Sequence, residues 1–250
     1  MSQFEVTPTQ ITNLIQHEPI QFSSSIQPHG VLLGLNPQLV ILQVSNNTKD
    51  LLGKKPDDLL GQPLATLLDA EQVKAIEQCW QQETGRANSF KLSIQTSKGE
   101  QYFDGIAHRT ESSLILELEP TESVNQISFL SFHALAGEAI AKMRKTSNLT
   151  DFLQLVASEV QKITGFDRVM LYKFEEDGHG SVIAEEKVEH LESYLGLHYP
   201  ESDIPKQARK LFSSNWIRLI PDAKSESTEI IPRINPINQH PLNLTNSILR

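Results

Sequence analysis

The sequence predicts an α+β protein of two modules, each built on an antiparallel sheet. Three observations carry this. A chain of 250 residues falls between one large domain and two small ones. It is 38% hydrophobic and 21% charged, enough apolar material to bury a core. Short apolar runs punctuated by Gly and Pro alternate with a few amphipathic stretches, and the polar stretch Pro120-Thr121-Glu122-Ser123 separates two such sets.

The elements follow in order. Residues 1–26 are polar, with Pro8, Pro19 and the run Ser23-Ser24-Ser25, and read as an extended arm. Val31-Leu32-Leu33-Gly34-Leu35 and Leu39 to Val44, joined by Asn36-Pro37, read as a hairpin of buried strands. Short helical turns ending at Gly53 and Gly61 come next, then a longer helix from Asp69 to Glu83. Three strands, 89–96, 102–109 and 113–119, close the first module, with a turn at 97–100. In the second module Phe132, Leu135, Ala136, Ala139, Ile140 and Met143 recur at helical spacing. A second helix, capped by Asn148 and stopped by Gly165, carries Phe152, Leu153, Val156 and Val160. Strands over 168–174 and 181–185 flank a turn at Asp177-Gly178-His179-Gly180. From Pro221 the chain is loop-like, with Pro232, Pro236 and Pro241, and an ordered loop of that length is usually functional.

Composition excludes several classes. Lys+Arg 22 against Asp+Glu 31 leaves a net charge of −9, and no basic stripe suits nucleic acid. No apolar run approaches a membrane span, and no signal peptide opens the chain. Cys79 is the lone cysteine, which rules out an internal disulfide or a multi-cysteine zinc site and reads as a buried, inert thiol. The eight histidines show no zincin spacing, and no nucleophile elbow or phosphate loop appears. The residues alone therefore describe an acidic, cytoplasmic, two-module sensory or binding protein without an enzyme's constellation.

Two segments narrow this further. One is Ser25-Ile26-Gln27-Pro28-His29-Gly30-Val31-Leu32-Leu33. The other is Gly165-Phe166-Asp167-Arg168-Val169-Met170-Leu171-Tyr172-Lys173-Phe174, continuing through Ile183-Ala184-Glu185, Tyr194-Leu195-Gly196-Leu197-His198-Tyr199-Pro200 and Ser202-Asp203-Ile204-Pro205. In this order they resemble the N-terminal photosensory part of phytochromes of the cyanobacterial and bacterial type, over residues 18 to 250. The resemblance implies an arm over 1–26, a PAS domain over 27–122 and a C-terminally incomplete GAF domain over 128–250. It implies that 222–250 is the GAF lasso, threaded by the arm as a figure-eight knot with Ile26 near the crossing.

It also implies a red/far-red photoreceptor. The GAF domain would hold a bilin, phycocyanobilin or biliverdin, whose light-driven isomerisation is passed to PHY and output domains or a response regulator in a homodimer. Arg218 and Arg250 would clamp a propionate, Asp203, Ile204 and Pro205 would lie over the rings, and Tyr172, Tyr199 and Phe212 would surround the ring that rotates. On the residues alone, Arg218 equally reads as a snorkelling strand arginine, Asp203 and Pro205 as a helix start, and Tyr172 and Phe212 as core. Two departures from the family pattern stand out. Ile15 occupies the N-terminal attachment position, and the sequence ends at Arg250, ahead of the GAF attachment cysteine, so bilin binding is expected to be non-covalent at best. The alternative is a non-photoactive PAS–GAF sensory or dimerisation module that binds another small ligand or none.

Overall fold

The computed structural model describes residues 24–81, 83, 85–96, 99–121, 129–215 and 217–250. The expected arm lies outside the described residues except for Ser24, Ser25 and Ile26. The strands are β1 (Ser25–Ile26), β2 (Val31–Leu35), β3 (Ile41–Ser45), β4 (Ala87–Thr96), β5 (Gly99–Arg109), β6 (Leu114–Pro120), β7 (Arg168–Phe174), β8 (Gly180–Lys187), β9 (His198–Tyr199) and β10 (Thr228–Ile231). Two compact units form, one from the described residues of 17–124 with 207–250, the other from those of 125–206. The division does not follow chain order, because the C-terminal 44 residues of the sequence, 207–250, pack with the first module.

The first unit is one antiparallel sheet in the order β1-β10-β3-β2-β6-β5-β4. The β2–β3 hairpin turns at Asn36, whose side-chain oxygen accepts from the N–H groups of Gln38 and Val40. Helices α1 (Thr48–Leu52), α2 (Pro56–Leu59) and α3 (Ala70–Glu77) lie in the β3–β4 connection. Gly53 ends α1 with a φ of 72°, and Asp69 with Gln72 forms a capping box on α3. The expected helix over 69–83 is shorter than its pattern: from Gln78 to Gln81 the chain tightens into a 3-10 turn, which buries Cys79. The expected turn at 97–100 is also shorter, since β5 already starts at Gly99.

Every residue of β6 from Leu114 to Leu118 is buried, because both faces of the sheet are covered. Leu114, Leu116 and Leu118 point to the helices, in a core with Val31, Leu33, Leu35, Ile41, Val44, Leu52, Phe103 and Cys79. Ile115 points the other way, into a second cluster with Ile26, Leu32, Ile230, Leu242, Leu244 and Leu249. The loop-like segment after Pro221 is therefore the lid on the second face of the sheet. It contributes β10, which pairs with β1 at Ser25↔Glu229 and with β3 at Ile230↔Ser45. Polar ties run along it: Gln43 Nε2 donates to Pro232 O, Asn238 Nδ2 to Ser112 Oγ, and Ile230 N to Ser24 O.

The second unit carries α4 (Phe129–Met143), α5 (Leu149–Thr164) and the sheet β7-β8-β9. Asn148 caps α5 through the N–H of Asp151, and Gly165 ends it with a φ of 70°, both as the sequence indicates. Buried Glu159 on α5 is paired with Lys142 and Lys162.

The approach of the lid to the sheet is closest at Gly30, where an added Cβ would lie 2.7 Å from Leu249 Cδ2 and 2.9 Å from Leu118 O. One of those neighbours is backbone and cannot swing away. Gly30→Ala should therefore cost about 1–3 kcal/mol in chemical denaturation. Unchanged stability would show that Leu249 does not seat against this glycine.

Candidate functional site

The first unit brings two of the expected residues together, Arg218 and Arg250. Gln27, at the exit of β1, is the link. Its Nε2 donates to Leu219 O at 2.7 Å and to Arg250 O at 3.2 Å, and its backbone N–H donates to Leu249 O at 2.6 Å. One side-chain amide thus holds a carbonyl beside Arg218 and the carbonyl of Arg250. Burial, and then the charge of Arg218, pull the Arg250 guanidinium below its ordinary range. Two like charges close enough to interact suit an anion, and arginine's planar fork matches a carboxylate. Residues 217–220 form no strand, so Arg218 is not the strand arginine that is the bland reading of its sequence context.

The other tether is Glu117, on the lid side of β6 and 2% exposed. Its Oε2 accepts from Ser247 Oγ and Leu249 N, both at 2.7 Å, and its Oε1 accepts from Ile248 N at 3.2 Å. Burial pushes its carboxyl up to about 7 against those three hydrogen bonds, and Glu119 adds to the push. His108 Nδ1 on β5 faces Oε1 at 3.7 Å, beyond hydrogen-bond length. Neither ring nitrogen of His108 has a hydrogen-bond partner among the described residues, and burial pulls its pKa down to about 4.

In the second unit Tyr172 on β7 meets Phe174 edge-on at 5.2 Å and Tyr199 on β9 at 6.0 Å between ring centroids. Gly180 makes this possible. It pairs with Phe174 on one side and Tyr199 on the other, and a Cβ there would fall 2.1 Å from the Tyr172 ring. The loop leading to Tyr199 is pinned by Glu185. Ser193 Oγ and the N–H groups of Tyr194 and Leu195 donate to its carboxylate, and Arg168 Nε lies 3.4 Å away. Burial pushes the Glu185 pKa up, but these partners outweigh it and hold it below the ordinary value. Arg168 also stacks over the Tyr194 ring at 3.7 Å. Asp203 closes a 3-10 turn, Ile204 and Pro205 follow it half-buried, and α6 (Lys206–Ser214) begins only at Lys206. Phe212 on α6 falls in the first unit, which takes in residues 207–250, and at 44% exposed it is not core.

The structure thus groups Arg218 with Arg250, and Tyr172 with Tyr199. Sequence reasoning missed Glu117, Gln27, Gly180 and Phe174 as parts of these groups. Glu117 did leave a signal, a lone carboxylate inside Leu114-Ile115-Leu116-Glu117-Leu118. Gln27 left none, since its partners lie about 200 residues away in the chain. Among the described residues no group of three His, Cys, Asp or Glu could hold a metal, and no helix is long and apolar enough to cross a membrane.

Known proteins are similar to this chain in sequence and in fold. Residues 15–121 match the PAS fold family. The chain is 53% identical over 243 residues to cyanobacterial phytochrome A of a Nostoc species, covering 94% of this chain and 31% of that protein. It is 36% identical to the bacteriophytochrome of Pseudomonas aeruginosa, covering 98% and 33%. Among solved structures, the chromophore-binding domain of a Stigmatella aurantiaca phytochrome superposes with a TM-score of 0.84 at 38% identity, covering 94% of this chain and 78% of that one. The chain belongs to the phytochrome family. It spans about a third of the length of the curated relatives it matches.

His108 and Glu117 make a pH prediction. The pKa of buried His108 is depressed, so the unfolded chain takes up a proton near pH 6.5 and the folded chain only near pH 4. Stability held by neutral His108 is thus fully present above pH 6.5 and lost as pH falls towards 4. Raised Glu117 works the other way: the folded carboxyl protonates near pH 7 and the unfolded one near 4.5, so its contribution grows as pH falls. In the wild type the two nearly cancel between pH 4.5 and 6.5. His108→Gln should expose the Glu117 trend, so that stability relative to wild type rises by up to about 1.4 kcal/mol per pH unit on acidification. A pH-independent difference in urea melts would refute the assignment.

Proposed function

We propose that this chain is a light-sensing module that binds a linear tetrapyrrole and passes a light-driven isomerisation to PHY and output domains outside the described structure. The arginine pair carries the reading. A bilin has two propionates, and the Arg218–Arg250 pair, with Arg250 half-buried and lowered first by burial and then by its neighbour's charge, suits one of them. When bound, the bilin supplies a conjugated system whose double bond isomerises on absorbing light. The chain's residues bind and orient it. Arg218 and Arg250 take a propionate, Asp203 offers its backbone carbonyl to pyrrole N–H groups, and Ile204 and Pro205 pack on the rings. Tyr172, Tyr199 and Phe212 confine the ring that turns, and the close packing of Tyr172 over Gly180 supports a fixed aromatic wall.

Either phycocyanobilin or biliverdin fits this reading. No bond in a substrate is made or broken, so the module acts as a sensor and not as an enzyme, in the cytoplasm. The names of the relatives support this reading: they are phytochromes, and one solved neighbour is titled a chromophore-binding domain. Self-association into a homodimer is supported by the exposed apolar side chains of α4, Phe132, Leu135 and Ile140.

The test is expression with a bilin source, as this chain alone and grafted onto the remaining two thirds of the Nostoc relative. The expected result is a red-absorbing bound bilin that photoconverts in the graft. Arg218→Ala should weaken retention by roughly 10- to 100-fold, the worth of a charge-assisted hydrogen-bond pair. No bilin uptake in either form would overturn the reading.

A further inference from the structure

We propose that Glu117 is the positioning residue for Arg250, holding it beside Arg218 through the backbone of residues 247–249. The proposal rests on the bilin reading and adds to it a residue on the PAS sheet that does not touch the bilin. Arg218 and Arg250 carry like charges, and after burial it is the charge of Arg218 that holds the Arg250 guanidinium below its ordinary range. Something other than the pair itself must keep them adjacent before a carboxylate arrives. The backbone leading to Arg250 is fixed from two sides. Glu117 accepts from the N–H groups of Ile248 and Leu249, the two residues before Arg250, and from the Ser247 hydroxyl. Gln27 donates to the carbonyls of Leu249 and Arg250. Leu249 itself fills the notch that Gly30 leaves open.

A buried carboxylate on the lid face of the sheet is costly unless its acceptors are used. A well-packed apolar side chain at this position would serve the sheet as well or better. Retaining the charge there makes sense if its acceptors are wanted on the lid. The other titratable groups around it are His108 on β5 at 3.7 Å and Glu119 on its own strand, which His29 faces at 3.5 Å. Among the described residues none of these gives Glu117 a hydrogen bond, so its acceptors serve residues 247–249.

The test uses the full chain and biliverdin as the probe, titrated by absorbance. Melting midpoints and the amide exchange of β2 and Leu249 are measured without bilin. Glu117→Met keeps the side-chain volume and removes the acceptors. It should leave the midpoint and β2 protection close to wild type. Leu249 protection and biliverdin affinity should each fall by about 10-fold or more, the value of one or two hydrogen bonds to a carboxylate. Glu117→Gln retains one acceptor oxygen and should return affinity to within about 3-fold of wild type. Ser247→Ala, which leaves the buried carboxylate in place, should give a smaller loss in the same direction and serves if the Met variant does not fold. Unchanged biliverdin affinity when Leu249 protection falls would overturn the proposal. So would parallel loss of midpoint and affinity in the Met and Gln variants alike, which marks a structural role only. Failure of the wild type itself to take up biliverdin would instead overturn the bilin reading, and the positioning role with it.

Discussion

The side-chain amide of Gln27 donates to the carbonyls of Leu219 and Arg250, which lie 31 positions apart in the sequence. That pair of bonds closes the C-terminal segment into a loop whose two ends carry Arg218 and Arg250. Most features of the first unit follow from this closure. The loop must lie flat on the sheet, so the sheet's second face is apolar at Leu32, Ile115 and Ile26 to receive Ile230, Leu242, Leu244 and Leu249. It must approach closely, so position 30 is glycine. Its end must not drift, so a carboxylate on β6 collects three donors from residues 247–249.

The second unit solves a parallel problem with the same means. A loop carrying Tyr199 and leading to Asp203 has to be fixed on a small sheet. Glu185, buried on β8, collects the Ser193 hydroxyl and the N–H groups of Tyr194 and Leu195, with Arg168 balancing its charge. Within the sheet, Gly180 on β8 leaves room for the Tyr172 ring on the neighbouring strand. In both units a buried carboxylate orders a loop whose backbone has few bonding partners of its own, which fits the rule that buried charges persist where their hydrogen bonds are used.

How much of this was legible in the sequence depends on the range of the interaction. Local signals were read directly. Asn148 and Gly165 bracket α5, Asn36 turns the first hairpin, and Asp69 starts α3, because caps and turns are written within four residues. The C-terminus of α3 was overread, since the apolar spacing of Ile76, Cys79 and Trp80 is served equally by a tighter 3-10 turn. The placement of residues 207–250 on the first unit was not legible from periodicity. Its strand is four residues long, and its apolar side chains are spaced among prolines. The site residues came from a resemblance of motifs, whereas the residues that hold them, Glu117 and Gln27, bond to partners more than 100 positions away. Glu117 nonetheless breaks the apolar run 114–118. A breach of pattern without a local cause is where a tertiary role should be sought.

The closed loop presents an arginine pair to a carboxylate. The most direct measurement compares the affinity of the chain for a bilin diacid with that for its dimethyl ester, in the wild type and in the Arg218→Ala/Arg250→Ala double variant. The claim predicts that the wild type prefers the diacid by about 10-fold or more and that the double variant shows no preference, because only a charged carboxylate can use both guanidinium groups. Equal affinity of the wild type for diacid and ester would contradict it.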